Sequence, residues 1–214
     1  MKFVESETER TTAATDAVLG LVCAVLAIQL LTTPAQAEFK RAVWLGVLGF
    51  LALGSFLGAI AHGLVLREDT RALIWKPLYL SLGLAVALVA VGAVLDGWGE
   101  PSARWLLPWA VGAGLLFFLI TQRLGGAFIL FIVYEGAAVI LALAIYAMLA
   151  IRGGMPGAGA MAAGVALSLI AAVVQVSRVS VTIGVRFDHN GLFHLIQIAG
   201  VVLMAVGVRA SLAP

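Results

Sequence analysis

The sequence predicts an all-α integral membrane protein, a seven-transmembrane helix bundle, and three observations carry that prediction. The 214 residues are 63% hydrophobic and only 11% charged, where soluble domains are about 45–50% apolar and about 25% charged. The mean hydropathy is +1.11. The apolar residues also fall into seven runs, each near the roughly 20 residues that carry a helix across a bilayer, separated by short segments rich in charge, Gly and Pro.

The runs cover residues 13–33, 42–66, 72–95, 103–120, 126–151, 157–176 and 190–210. Pro34 with Lys40 and Arg41 marks the first break, and Arg67-Glu68-Asp69 the second. Asp96 to Pro101 forms the third, Gln122-Arg123 with Gly125-Gly126 the fourth, and Arg152-Gly153-Gly154 with Pro156 the fifth. Arg178 to Asp188 is the sixth. None of these segments is long enough to hold a domain, so residues 1–214 read as one transmembrane unit whose chemistry lies inside or at the edge of the membrane. Ala35-Gln36-Ala37 after the first run also fits a signal-peptidase site, which would leave six helices. Glu5, Glu7 and Glu9 before the run and Asp16 within it speak for retention.

A formal net charge of +2 with scattered basic residues argues against a nucleic-acid partner. Membrane lipids are the expected surroundings. A lone cysteine, Cys23, excludes an intrachain disulfide and a cysteine metal cluster, and reads as a small core hydrophobe. The five tryptophans lie near run ends, where interfacial belts are expected. Lys2, Arg10, Arg67, Arg71, Lys76, Arg123, Arg178 and Arg186 fall on the N-terminal side, eight of the 13 basic residues; Lys40, Arg41, Arg104, Arg152 and Arg209 fall opposite. That bias predicts a cytoplasmic N-terminus and an external C-terminus. Short loops point to a prokaryotic inner membrane.

Ionisable groups inside a span are expensive and default to functional candidates. His62 lies four residues before the end of the second run, and His194 four residues after the start of the seventh. At about 1.5 Å per residue both sit roughly 6 Å inside the same interface. Asp16 and His189 belong to that level too, so all three histidines of the chain converge on one leaflet. Ser55 precedes His62 by seven residues, about two helical turns, and shares its face, with Gly54 and Gly58 close to the stripe. Gln197 shares the face of His194. Glu135 lies deeper in the fifth run, where a partner within the bundle is expected. Three imidazoles and a water make a catalytic zinc site, and bound zinc lowers the pKa of its water to about 7. His62, His189 and His194 are the expected ligands, with Asp16 to orient a ligand or act as base. His189 and His194 are about 140° apart on a helix, so His189 joins only from ahead of the first regular turn. The competing readings are an interfacial His62, a helix-start His189 in an N-capping Asp188-His189-Asn190-Gly191 segment, a His194 hydrogen-bonded to a neighbouring helix, a first-turn Asp16 favoured by the helix dipole, a Glu135 in a structural pair, and a packing Ser55.

Asp188-His189-Asn190-Gly191-Leu192-Phe193-His194-Leu195-Ile196 resembles the last-helix motif of the CREST superfamily. That superfamily includes alkaline ceramidases, progestin and adipoQ receptors and hemolysin III-like bacterial proteins. Its final helix carries His-x-x-x-His and its second Ser-x-x-x-His. The resemblance implies a zinc site, with an Asp near the start of the third helix, for which Asp69 is the nearest residue. It carries to His62 and His194, and beyond them to His189, Ser55 and Asp69. The first His of the last motif falls on Asn190, one place after His189, and the Ser of the second helix falls on Gly58.

Three functions follow as expectations. The first is a zinc-dependent intramembrane hydrolase of lipid amides or esters. The second is a non-enzymatic sensor of a lipid or small molecule on the same scaffold. The third is a proton-coupled transporter with Asp16 and Glu135 as relay groups.

Overall fold

The computed structural model describes residues 2–34, 37–123 and 128–212. Seven helices run through them: α1 (Glu7–Thr32), α2 (Glu38–Gly63), α3 (Glu68–Trp98), α4 (Glu100–Arg123), α5 (Phe128–Arg152), α6 (Ala158–Val176) and α7 (His189–Leu212). All seven are long and apolar enough to cross a membrane. The proposed Ala35-Gln36-Ala37 cleavage site and the Gly125-Gly126 break fall largely or wholly outside the described residues.

Helices α1 to α4 and α7 begin earlier than their apolar runs because polar first turns are helical too. Ser6 caps α1 by accepting the Glu9 N–H, and Glu7 and Glu9 place negative charge at the positive end of the helix dipole. The third break shrinks to Gly99, whose φ of 85° suits only glycine. Pro101 then sits in the first turn of α4, where its missing N–H costs nothing. Asp96 therefore belongs to α3 rather than to a loop. The sixth break holds a hairpin, β1 (Val181–Ile183) paired antiparallel with β2 (Val185–Phe187) and closed by Gly184 at φ 71°.

Six helices close a ring in the order α1, α2, α3, α5, α6, α7, with α7 returning against α1; α4 packs outside, chiefly on α3. Glycines set the closest approach. A Cβ on Gly164 of α6 would stand 2.6 Å from the Gly200 carbonyl oxygen of α7, so a side chain at this crossing would force the helices apart. Leu48, Val139, Ile145, Met161, Val165, Val201 and Cys23 fill the ring's centre. Leu21, Ile28, Val133, Ile140, Val173 and Val206 face outward and stay exposed, as lipid-facing residues do. Trp98, Trp105 and Trp109 also point outward, as an interfacial belt requires. Trp44 departs from that expectation and is buried in the core.

One buried charge cluster lies at the C-terminal end of α3. Lys40 Nζ meets Asp96 Oδ1 at 2.5 Å, and the Tyr146 hydroxyl donates to Asp96 Oδ2 at 3.0 Å. The three residues come from α2, α3 and α5 and are all buried or nearly so. An unpaired charge here would be costly, and the cluster satisfies both ions.

Candidate functional site

At the other end of the ring the helices enclose a cavity of about 340 Å³. Its walls carry Asp16 from α1, Ser55, Gly58 and His62 from α2, Glu135 from α5, Gln175 from α6, and His189, Asn190, His194 and Gln197 from α7. Trp75, Tyr79, Phe131 and Phe193 with Leu51, Leu78, Leu82 and Val86 make the rest apolar and aromatic. From His189 to Gln197 the cavity extends about 12 Å along α7. A smaller space of about 50 Å³ shares Glu135 and Gln197 with it and continues to Ser168 and Val139.

The start of α7 is tied to α1. Asp188 caps α7 by accepting the Gly191 N–H at 2.9 Å and also accepts the Thr12 hydroxyl at 2.9 Å. The Thr11 hydroxyl donates to the Arg186 carbonyl at 2.8 Å, which docks β2 on the same helix. Thr12 lies one turn before Asp16, so these bonds set α7 in register with Asp16. The result is a buried pair: His194 Nε2 stands 3.2 Å from Asp16 Oδ1. The other ring nitrogen, Nδ1, is 3.0 Å from the Thr15 hydroxyl. That hydroxyl lies within 3.0 Å of the Thr11 and Thr12 carbonyls and spends its hydrogen there. It therefore accepts from Nδ1–H, and Nε2 is the nitrogen left to face Asp16 and the cavity.

His62 is oriented by a different group. Its Nδ1 bonds Glu9 Oε2 at 2.8 Å, and its ring meets Trp75 edge-on with centroids 5.7 Å apart. The N-terminal segment holds Glu9 in place: the Val4 N–H donates to the Gly63 carbonyl and the Val65 N–H to the Lys2 carbonyl, beside the end of α2. Gly58 has a direct role, since a Cβ there would come 2.6 Å from Asp16 Oδ2. The position that the resemblance assigns to serine is thus kept bare for the Asp16 carboxylate.

The cavity brings together five of the six nominated residues, namely Asp16, Ser55, His62, His189 and His194. His189 joins because it is the first residue of α7. Asp69 does not. It is exposed in the first turn of α3, where an acid complements the helix dipole, and it lines no part of the cavity. Glu135 departs from its expectation: its Oε2 is buried without a hydrogen-bond partner among the described residues, while neighbouring Tyr134 donates to the Gly83 carbonyl. Sequence reasoning missed Gln175, Glu9 and the Lys40–Asp96–Tyr146 cluster. Glu9 carried a signal, an acid two helical turns before Asp16.

A zinc centre would need three or four of these donors on one ion. Two ligands on one tetrahedral ion with bonds of about 2.0 Å lie roughly 3.3 Å apart, close to the Asp16–His194 separation. Both histidines also donate Nδ1–H to an acceptor, as metal-bound imidazoles do. Yet among the described residues no three His, Cys, Asp or Glu side chains converge on one point. The residues as placed do not complete a zinc centre.

These features define a seven-helix integral membrane protein with a ligand-sized cavity of mixed polar and apolar lining between its helices at one end. The chain belongs to a family of unknown function, DUF6962, whose profile matches residues 11–213. No curated protein and no solved structure matches it.

Proposed function

We propose that this chain is a CREST-like intramembrane hydrolase of lipid amides or esters, with Asp16 and His194 as the reacting pair. The observation that supports it most is the 3.2 Å contact between Asp16 Oδ1 and His194 Nε2 on the wall of a cavity that mixes polar and apolar linings. An amphiphile would lay its chain along Leu82, Val86 and Phe131 and present its carbonyl to the pair. Water held by Asp16 and His194 attacks the carbonyl carbon and gives up one proton to the pair. The new C–O bond forms, the C–N or C–O bond to the leaving group breaks, and His194 Nε2 returns the proton to the departing amine or alkoxide. Thr15 holds the ring tautomer through the cycle. The Lys and Arg bias supports a cytoplasmic-leaflet position for the cavity, and the short loops support a prokaryotic inner membrane as its setting.

The test is release of free fatty acid from a long-chain N-acyl amine and from the matching ester by the purified chain. Turnover abolished by His194→Ala supports the reading. Equal release by that variant removes it.

A second reading is a lipid or small-molecule sensor on the same scaffold, for which the ligand-sized cavity is the supporting observation. It requires ligand stabilisation without product. Transport gains less support: between Glu135 and the Lys40–Asp96–Tyr146 cluster the helices carry Val47, Val139, Ala142, Val201 and Met204, an apolar layer.

A further inference from the structure

We propose that Glu135 and Gln197 seat a positively charged, hydrogen-bond-donating group, a primary ammonium, on the molecule that fills the cavity. The proposal rests on the reading of this cavity as an amphiphile site, and not on the chemistry at Asp16 and His194.

Four buried side-chain polar atoms lack a hydrogen-bond partner among the described residues, and three of them line this cavity: Glu135 Oε2, Gln197 Oε1 and Gln175 Oε1. Glu135 is 8% exposed and Gln197 7%. All three atoms are acceptors. Leaving an acceptor buried and unpaired costs about 1–3 kcal/mol, and more for a charged group, so the complement of this wall is a group that brings donors. A primary ammonium brings three and accepts none.

Charge points the same way. The cavity lining holds the carboxylates of Asp16 and Glu135, and among the described residues no Lys or Arg. Asp16 already has His194 beside it, whereas Glu135 Oε2 has no hydrogen-bond partner among the described residues. Phe131, one turn before Glu135 on the same helix face, is 4% exposed and lines the same cavity. Beyond Glu135 the smaller space toward Ser168 and Met204 leaves room for the group's substituent or a water.

The experiment is thermal unfolding of the purified full chain in detergent with n-decylammonium, n-decanol or n-decanoate at matched micellar concentrations. The expected result is a concentration-dependent rise in Tm with decylammonium, a smaller one with decanol and none with decanoate. Glu135→Gln should bind decylammonium at least tenfold more weakly, with its own unliganded Tm unchanged or raised. Gln197→Ala should weaken it in the same direction, and serves if the first variant does not fold. Equal shifts with all three amphiphiles, or a decylammonium shift that survives both substitutions, would overturn the ammonium seat and leave the amphiphile site standing. No shift with any of the three would overturn both.

Discussion

The carboxylate of Asp16 rests against the bare backbone of Gly58, so closely that a methyl group there would stand 2.6 Å from Oδ2. The helix that supplies His62 thus also makes the space in which Asp16 can reach His194. The Asp16–His194 contact depends on a missing side chain.

Gly58→Ala should therefore push the Asp16 carboxylate off its place. Displacing a reacting group by about 1 Å costs roughly a hundredfold in rate, and a loss of that order in fatty-acid release is expected. Gly49→Ala is the control, because nothing lies within 4 Å of the position a Cβ would take there. Equal activity in the two variants would show that the Asp16–Gly58 contact does not matter.

The Lys40–Asp96 pair predicts a stability effect separable from function. Removing one partner of a buried ion pair costs about 3–5 kcal/mol, whereas replacing both with apolar residues is often near neutral. Lys40→Met should lower the unfolding temperature sharply. Lys40→Met combined with Asp96→Leu and Tyr146→Phe should recover most of it, with product release unchanged because the cluster lies at the other end of the ring from the cavity. A rate loss in the recovered variant would point instead to coupling between the two ends.

Much of this architecture was legible in the residues. Seven apolar runs of membrane-crossing length specify the helices, and helical geometry alone puts His62, His194 and Asp16 at one level. The capping composition at Asp188 marks where α7 begins. Other features needed the folded chain. Asp96 reads as a loop residue beside Gly97 and Gly99, yet α3 continues past it, because its inward phase meets Lys40 and Tyr146 from two helices distant in sequence. The hairpin at 181–187 had a signal in its β-branched residues around Gly184, masked by the brevity of the segment. That Glu135 would face a cavity rather than a partner is a matter of packing, which periodicity does not encode.

Zinc gives a third prediction through His62. Asp16 and His194 supply two donors, and His62 is held by Glu9 and Trp75. The expected elemental analysis shows the same zinc content in the wild type and in His62→Ala. Loss of one equivalent per chain in the variant would show that His62 closes on the pair when metal is present.

The most direct test of the central claim is release of free fatty acid from a long-chain N-acyl amine and its matching ester, measured for the wild type beside Asp16→Asn. Multiple turnovers by the wild type, and a drop of about 10²–10⁴-fold in the variant at an unchanged unfolding temperature, are the predicted result. Equal release by both proteins, or stabilisation of the wild type by the substrate with no product formed, would contradict it.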